Sequence, residues 1–390
     1  MSSASVIYLD FNRTTPTAPS VIEAMQPFWA THFLLPTQMH TEASAVGEAI
    51  ERARESTAML LGCEPFEVVF TSGGTEANNL AILGMFGARG AGRENHHDLE
   101  RGESPHALVS ALEHEAVLSP VRQLEAAGWD MEVVKCDARG RVDVDEFADH
   151  IRPSTRLACL QLANSVVGTV QNVRQLSDRC HNWGIHVHCD ATVAAGRVPI
   201  NANQLRVDTL AITGHKFYAP KGVGALFVRR GLTLQPILHG ESREMGLRSG
   251  ADNVPGIVGL GQAATLATRC VDEAATTLSG LRQRLVDGLD EMLGGQLVVL
   301  GDTEDCLPNT VCLELPGDAS RIQRAARQLV VATAESSSPP DEITRTLRAI
   351  GRTEPQIGRT MRISIGWTTT HDQIDRAISL LAEATECPAQ

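Results

Sequence analysis

An imidazole and two amines stand within one ten-residue turn, Thr213-Gly214-His215-Lys216-Phe217-Tyr218-Ala219-Pro220-Lys221-Gly222. The apolar run 209–212 leads into it and the run 224–228 leads away. A lysine presented between two apolar strands faces a pocket rather than an outer surface. An amine activated there by desolvation or by nearby cations condenses with carbonyl compounds, pyridoxal phosphate among them. A solvated loop lysine accounts for this stretch equally well, so other segments must decide.

A second group lies at Thr71-Ser72-Gly73-Gly74-Thr75-Glu76-Ala77-Asn78-Asn79, fed by a strand-like run at 66–70. Glycines and hydroxyls at a strand-to-helix junction aim backbone N–H groups at one spot, where the helix dipole also favours an anion. A tight turn capped by Thr75 is the plainer alternative. A third group is His186-Val187-His188-Cys189-Asp190. On a strand, His186, His188 and Asp190 share a face, a spacing a metal could use, and a carboxylate there could equally hold a pyridine nitrogen protonated. No further ligand is nominated, so no metal is expected; structural histidines beside a turn-capping aspartate fit as well. His96-His97 fall in the polar stretch 91–104, read as a solvated loop facing water.

The elements that must position these groups alternate. Helical periodicity at Val46, Ala49, Ile50 and Ala53 stops at Gly62. A strand at 106–111 ends at Glu113-His114; then follow a strand at 131–134, a helix near 143–151, a strand at 157–162, a helix near 172–183 and a strand at 185–189. Such alternation predicts an α/β fold with a parallel sheet covered on both faces, whose ligands collect at the carboxyl ends of the strands. Gly74, His114, Asn164, Asp190 and Lys216 each follow an apolar run and are expected to converge there. Beyond 256 a long helix to about 293 precedes strands near 297–300 and 309–315, helices near 319–329 and 341–350, a strand at 361–365 and a last helix from 371. The expected division is a large domain, 16–255, and a small α+β domain made of 1–15 with 256–390.

Bulk composition narrows the function. A length of 390 residues suits two domains. A net charge of −13 argues against nucleic-acid and anionic-membrane surfaces. Nine cysteines without a C-x-x-C pair suggest neither a disulfide framework nor a zinc ribbon. With neither a leader-like start nor an apolar run of spanning length, a reducing, cytoplasmic setting is expected.

Six motifs, TSGGTEANN, EHEAVL, HCDAT, TGHKFYAPKGVGALFVRR, RSGADNVPGIVG and MRISIGWTTT, occur in the order and spacing of the cysteine desulfurases. The chain resembles that family, within the class V aminotransferase group of fold-type-I pyridoxal phosphate enzymes, over nearly its whole length. The resemblance implies that Lys216 carries the cofactor as an internal aldimine and later moves protons at the substrate carbon. Asp190 would pair with the pyridinium nitrogen and His114 would stack on the ring. Gly74, Thr75, Thr213 and His215 would hold the phosphate. Asn164 would touch cofactor and substrate, and Arg362 would take the substrate carboxylate with its planar fork. It also implies a homodimer acting on L-cysteine or a related small amino acid through an external aldimine.

Departures from the family pattern carry equal information. The family's loop cysteine has no counterpart in 332–340, where Ser336 or Ser337 takes its place and Pro339-Pro340 follow. A serine hydroxyl is far harder to ionise than a thiol and forms no stable persulfide. Val193 replaces a glutamine on the cofactor's ring oxygen, Ser165 an asparagine, and Ala251 a threonine reaching the partner's phosphate; Arg13 stands where a small residue is usual. Cys189 should point away from Asp190, and Cys306 and Cys312 flank a predicted strand, so none of the nine thiols is expected to substitute. Two alternatives follow: elimination, racemisation or transamination of another amino acid, or a silent relative serving as a binding partner. Any sulfur-acceptor protein is left unnamed.

Overall fold

The computed structural model describes residues 6–87, 103–335 and 337–386; most of the histidine-bearing stretch 91–104 lies outside them. A seven-stranded sheet is built from Val68–Thr71 (β1), His106–Ser110 (β2), Asp130–Val134 (β3), Thr155–Cys159 (β4), His186–Asp190 (β5), Thr209–Thr213 (β6) and Gly224–Val228 (β7). Its order is β1-β7-β6-β5-β4-β2-β3. Helices cover it, and β1, β2, β5, β6 and β7 are buried along their whole length. That is why β1, β2, β6 and β7 read as largely apolar runs, whereas β5 alternates and its buried His186, His188 and Asp190 make internal hydrogen bonds.

Only β7 runs against its neighbours, antiparallel to both β6 and β1. The short link 214–223 can do nothing else, because a parallel return needs a crossover of a dozen residues or more. The carboxyl ends of β1, β2, β4, β5 and β6 therefore lie along one edge, as expected from the alternation. From β1 the chain turns into Gly74–Phe86 (α2), and from β2 into Glu115–Ala126 (α3). Thr41–Leu61 (α1) ends at Gly62, the stop read from the sequence, which takes φ +63° as a left-handed cap.

A second, antiparallel sheet of Val298–Leu300 (β8), Thr310–Glu314 (β9), Ala332–Thr333 (β10) and Thr360–Ser364 (β11) has the order β8-β9-β11-β10. Its core gathers Ile7 and Leu9 from the chain start with Leu281, Leu285, Ile363 and Leu381. Val254–Met292 (α4) serves both cores: Val254 to Ala267 pack under the large sheet, and Leu278 to Leu289 under the small one. The helix expected over 319–329 stops at Ala325, because Leu329–Val330 extend to pair in parallel with Ile7–Tyr8. Glu342–Ala349 (α5) and His371–Glu386 (α6) complete the elements used below. Among the described residues no helix is long and apolar enough to cross a membrane.

Candidate active site

The shared strand edge opens on a cavity of about 900 Å³. Its walls include Gly74, Thr75, His114, Asp190, Thr213, His215 and Lys216, seven of the residues named from sequence. Lys216 ends a single helical turn, Gly214–Lys216, directly after β6. The turn is clamped from the chain start: Thr15 donates from its N–H and its hydroxyl to the His215 carbonyl, at 2.8 and 3.1 Å. The Lys216 amine donates to the carbonyls of Asn12 and Arg13, the latter at 3.1 Å. Asn12 is fixed in turn by its side chain, which donates to the Ser165 carbonyl and the Thr310 hydroxyl, each at 2.8 Å. Burial above all pulls the Lys216 ammonium down to about 8, with Arg197 and Arg362 acting in the same sense and Glu342 against it. An amine easily made neutral is a nucleophile.

Two residues further on, Tyr218 holds φ +68°, a conformation costly for any side chain bearing a Cβ. It is kept there by a stack on Trp367 with ring centres 4.2 Å apart and by its N–H, which donates to Thr15 at 2.8 Å. The strain thus sits at the end of the segment that aims the lysine.

Asp190, in the same cavity wall, heads a buried polar row. Asp190 accepts from the Asn78 amide at 2.8 Å and from the Thr192 N–H at 2.9 Å. Asn78 Oδ1 meets His188 Nε2 at 2.9 Å, and Thr209 Oγ1 lies 2.9 Å from His188 Nδ1 and 3.0 Å from His186 Nε2. Burial drives His186 to about 4 and His188 to about 3, so both rings are neutral near pH 7. Since Asn78 Oδ1 can only accept, His188 carries its proton on Nε2, Thr209 donates to its Nδ1, and His186 donates to Thr209. The shared face of His186, His188 and Asp190 read from the strand is present, and the two histidines spend these nitrogens on Thr209 and Asn78. Asn78→Leu should expose unpaired donors and acceptors along this row and lower stability by about 2–4 kcal/mol, measured by urea unfolding.

The glycine turn forms a tight cradle. Gly73 has φ +152° and ψ −179°, and a Cβ at Gly74 would stand 2.7 Å from the Thr192 methyl. Helix α2 begins there, and its first-turn N–H groups have no intrahelical acceptors. His215, facing Thr14 at 3.2 Å, is lowered to about 4 by burial and then by Lys216.

The remaining residues named from sequence fall in different places. His114 caps α3, its Nδ1 accepting from the Ala116 N–H at 3.0 Å, and its ring is exposed to the cavity. Asn164 lies buried outside the lining set; its Oδ1 takes the N–H groups of Val166 and Val167, and its Nδ2 has no partner. Arg362 is 2% exposed and donates to Asp10 at 2.6 Å. Ser336 lies outside the described residues. Ser337 is exposed and donates to the Pro339 carbonyl at 2.9 Å. Val193 lines the cavity, whereas Ala251 and Ser165 do not; among the described residues no cysteine lines it.

Sequence reasoning missed Glu342. At the first position of α5 it enters the cavity and accepts from the Ser165 hydroxyl at 2.5 Å. Burial opposes its charge, yet His114, Lys216 and Arg362 hold its carboxyl below the usual range. Asp341 immediately before it is the helix cap, which was the available signal. Asn78 also went unremarked, although it lies one turn beyond Gly74 on the same helix face.

The strand edge thus gathers a clamped lysine, an aspartate and a glycine cradle around one cavity, and residues 7–377 match the class-V aminotransferase family, to which the chain belongs. Within it the relatives are cysteine desulfurases. That of Nostoc sp. is 36% identical over 386 residues, 98% of this chain and 93% of its own length. That of Gluconacetobacter diazotrophicus is 37% identical over 383 residues, covering 97% and 92%. A solved NifS-like protein superposes with a TM-score of 0.87 at 30% identity, over 97% of this chain and 98% of its own. The structure of SspA in complex with cysteine gives 0.77 at 30%, over 92% and 98%. The chain is thus a member of the cysteine desulfurase family, whose members are pyridoxal phosphate enzymes, and the architecture expected from the resemblance is the one found.

Proposed function

We propose that this protein is a pyridoxal phosphate enzyme that takes L-cysteine or a closely related amino acid and acts on it without a loop thiolate. The observation that carries this reading is the Lys216 amine, pulled down to about 8, sharing one cavity with Asp190 and the Gly73-Gly74 cradle. The residues fit the cofactor: a Cβ at Gly74 would meet Thr192, and the first-turn N–H groups of α2 have no side-chain cap, leaving a glycine cradle for an anion. When bound, pyridoxal phosphate supplies an electron sink that loosens the bonds at an amino acid's α-carbon.

The chain's own groups divide the work around it. Gly74, Thr75, Thr213 and His215 would hold the phosphate, Asp190 would hold a proton on the ring nitrogen, and His114 would cover one ring face. Lys216 would move the proton at the substrate's α-carbon. Arg362 and Asn164 would orient its carboxylate. SspA, a structural relative, is known with cysteine bound, which supports an amino acid in this cavity. Since no cysteine among the described residues lines the cavity, the reactions favoured need no protein thiol: elimination, racemisation or transamination. A homodimer is proposed as well, supported by exposed Ile22, Trp29, Phe33, Leu35 and Met39 within one short segment.

Borohydride treatment of the protein with pyridoxal phosphate, followed by peptide mass mapping, should leave the cofactor's mass on the peptide containing Lys216. Sulfide release from L-cysteine should survive complete alkylation of thiols. No mass at Lys216 would overturn the cofactor assignment, and loss of sulfide release on alkylation would restore a thiol mechanism.

A further inference from the structure

We propose that Arg13 selects amino acids whose side chain carries a second acid group, a carboxylate or a sulfonate. The proposal rests on the reading that an amino acid is held beside Lys216.

Arg13 is exposed and lines the cavity, and its own carbonyl lies 3.1 Å from the Lys216 amine. Its guanidinium makes no ion pair among the described residues. The other cavity arginine, Arg345, is bonded to Glu115. The acids lining the cavity are also committed. Glu76 pairs with Arg248, and Glu115 takes Arg122, Arg345 and Ser119. Asp190 takes Asn78 and Thr192, Asp341 caps Thr344, and Glu342 takes Ser165. Lys221 is a second cation without an ion pair among the described residues, but its charge acts on His215, which the reading places at the phosphate.

The cavity lining therefore includes a guanidinium with no ion pair among the described residues, carried by the residue whose carbonyl accepts from the reactive amine. A cation lining a cleft attracts an anion more strongly than one on an open surface, because the low-dielectric walls focus its field. Its planar fork matches the paired oxygens of a carboxylate or sulfonate. A neutral side chain of the same shape offers that fork no charge, so the discrimination expected is between acid and isostere.

Calorimetric titration of the protein with pyridoxal phosphate present, using L-aspartate, L-cysteate and L-asparagine, tests this directly. The wild-type protein should prefer aspartate to asparagine. Arg13→Ala and Arg13→Gln should weaken aspartate and cysteate by about tenfold or more, leave asparagine within about twofold, and Arg13→Lys should recover part of the loss. Comparison of the aspartate and cysteate arms tells carboxylate from sulfonate. Equal weakening of aspartate and asparagine would overturn the proposal, as would a loss confined to pyridoxal phosphate affinity, which would make Arg13 part of the anion cradle. Failure of the parent reading shows separately, as the absence in wild type of a visible band that Lys216→Ala removes; the aspartate–asparagine comparison does not depend on that band.

Discussion

Lys216→Ala should abolish the visible absorbance of the protein with pyridoxal phosphate and lower turnover of every amino acid substrate by at least about 10³-fold. The amine is both the attachment point proposed for the cofactor and the group proposed to move the α-proton, so one truncation removes two functions. The fold should survive, because the turn is held by Thr15 on the His215 carbonyl and by the Tyr218 stack rather than by the amine. The pH dependence follows from the amine's position. Its affinity for a proton lies at about 8, below the ordinary lysine value of 10.5, because burial disfavours the cation. The rate at which cofactor-free protein takes up pyridoxal phosphate should therefore rise with pH, with a midpoint near 8. The stability consequence has the same origin. Between about 8 and 10.5 the unfolded chain binds a proton that the folded chain does not, so the cost of burying this charge is full below about 8 and disappears as pH rises towards 10.5. At pH 7 Lys216→Met should accordingly unfold at a higher urea concentration than wild type, with the difference shrinking as pH approaches 10.5. An unchanged visible band in Lys216→Ala would remove the lysine from the chemistry altogether.

Much of this arrangement was legible in the chain, for reasons that particular residues make plain. Strands β2 and β6 are buried end to end and appear as largely apolar runs, and the polar residues that follow them, like Asp190 at the end of β5, fall at the sheet's active edge. Lys216, Asp190 and His114 were found that way. Periodicity carries no information about polar contacts between residues far apart in sequence. Asn78 meets Asp190 across 112 positions, Ser165 meets Glu342 across 177, and Asn12 meets Thr310 across 298. Each of these is a single polar residue whose role depends on tertiary register, and no local pattern marks it. The stop of the helix at Ala325 was hidden for the same reason, since the partner that draws Leu329–Val330 into a strand is at the chain's other end. Arg362 shows the limit most clearly: its family motif named it, but only the folded chain reveals that Asp10 holds it.

Arg362→Met should destabilise the protein by about 3–5 kcal/mol, read from urea unfolding. The guanidinium is 2% exposed and its Nη2 donates to Asp10, itself 8% exposed, at 2.6 Å. Truncation strands a buried carboxylate, and desolvation of that charge sets the size of the loss. Asp10→Leu combined with Arg362→Met should recover most of it, because the pair as a whole contributes far less than either unpaired member costs. The arrangement still leaves donors available to a substrate. Nε is buried without a partner, and Nη1 reaches only the Ser165 carbonyl at 3.4 Å. Asp10 therefore occupies part of the fork and fixes its plane, while a substrate carboxylate would satisfy the rest. Arg362→Lys separates the two roles. An ammonium can still face Asp10, so unfolding should shift much less than in Arg362→Met, but the fork is lost, and KM for amino acid substrates should rise about tenfold or more with a smaller change in kcat. A stable Arg362→Lys variant with unaltered KM would leave this arginine a strut between the chain start and β11, and would require the substrate carboxylate to be bound elsewhere in the cavity.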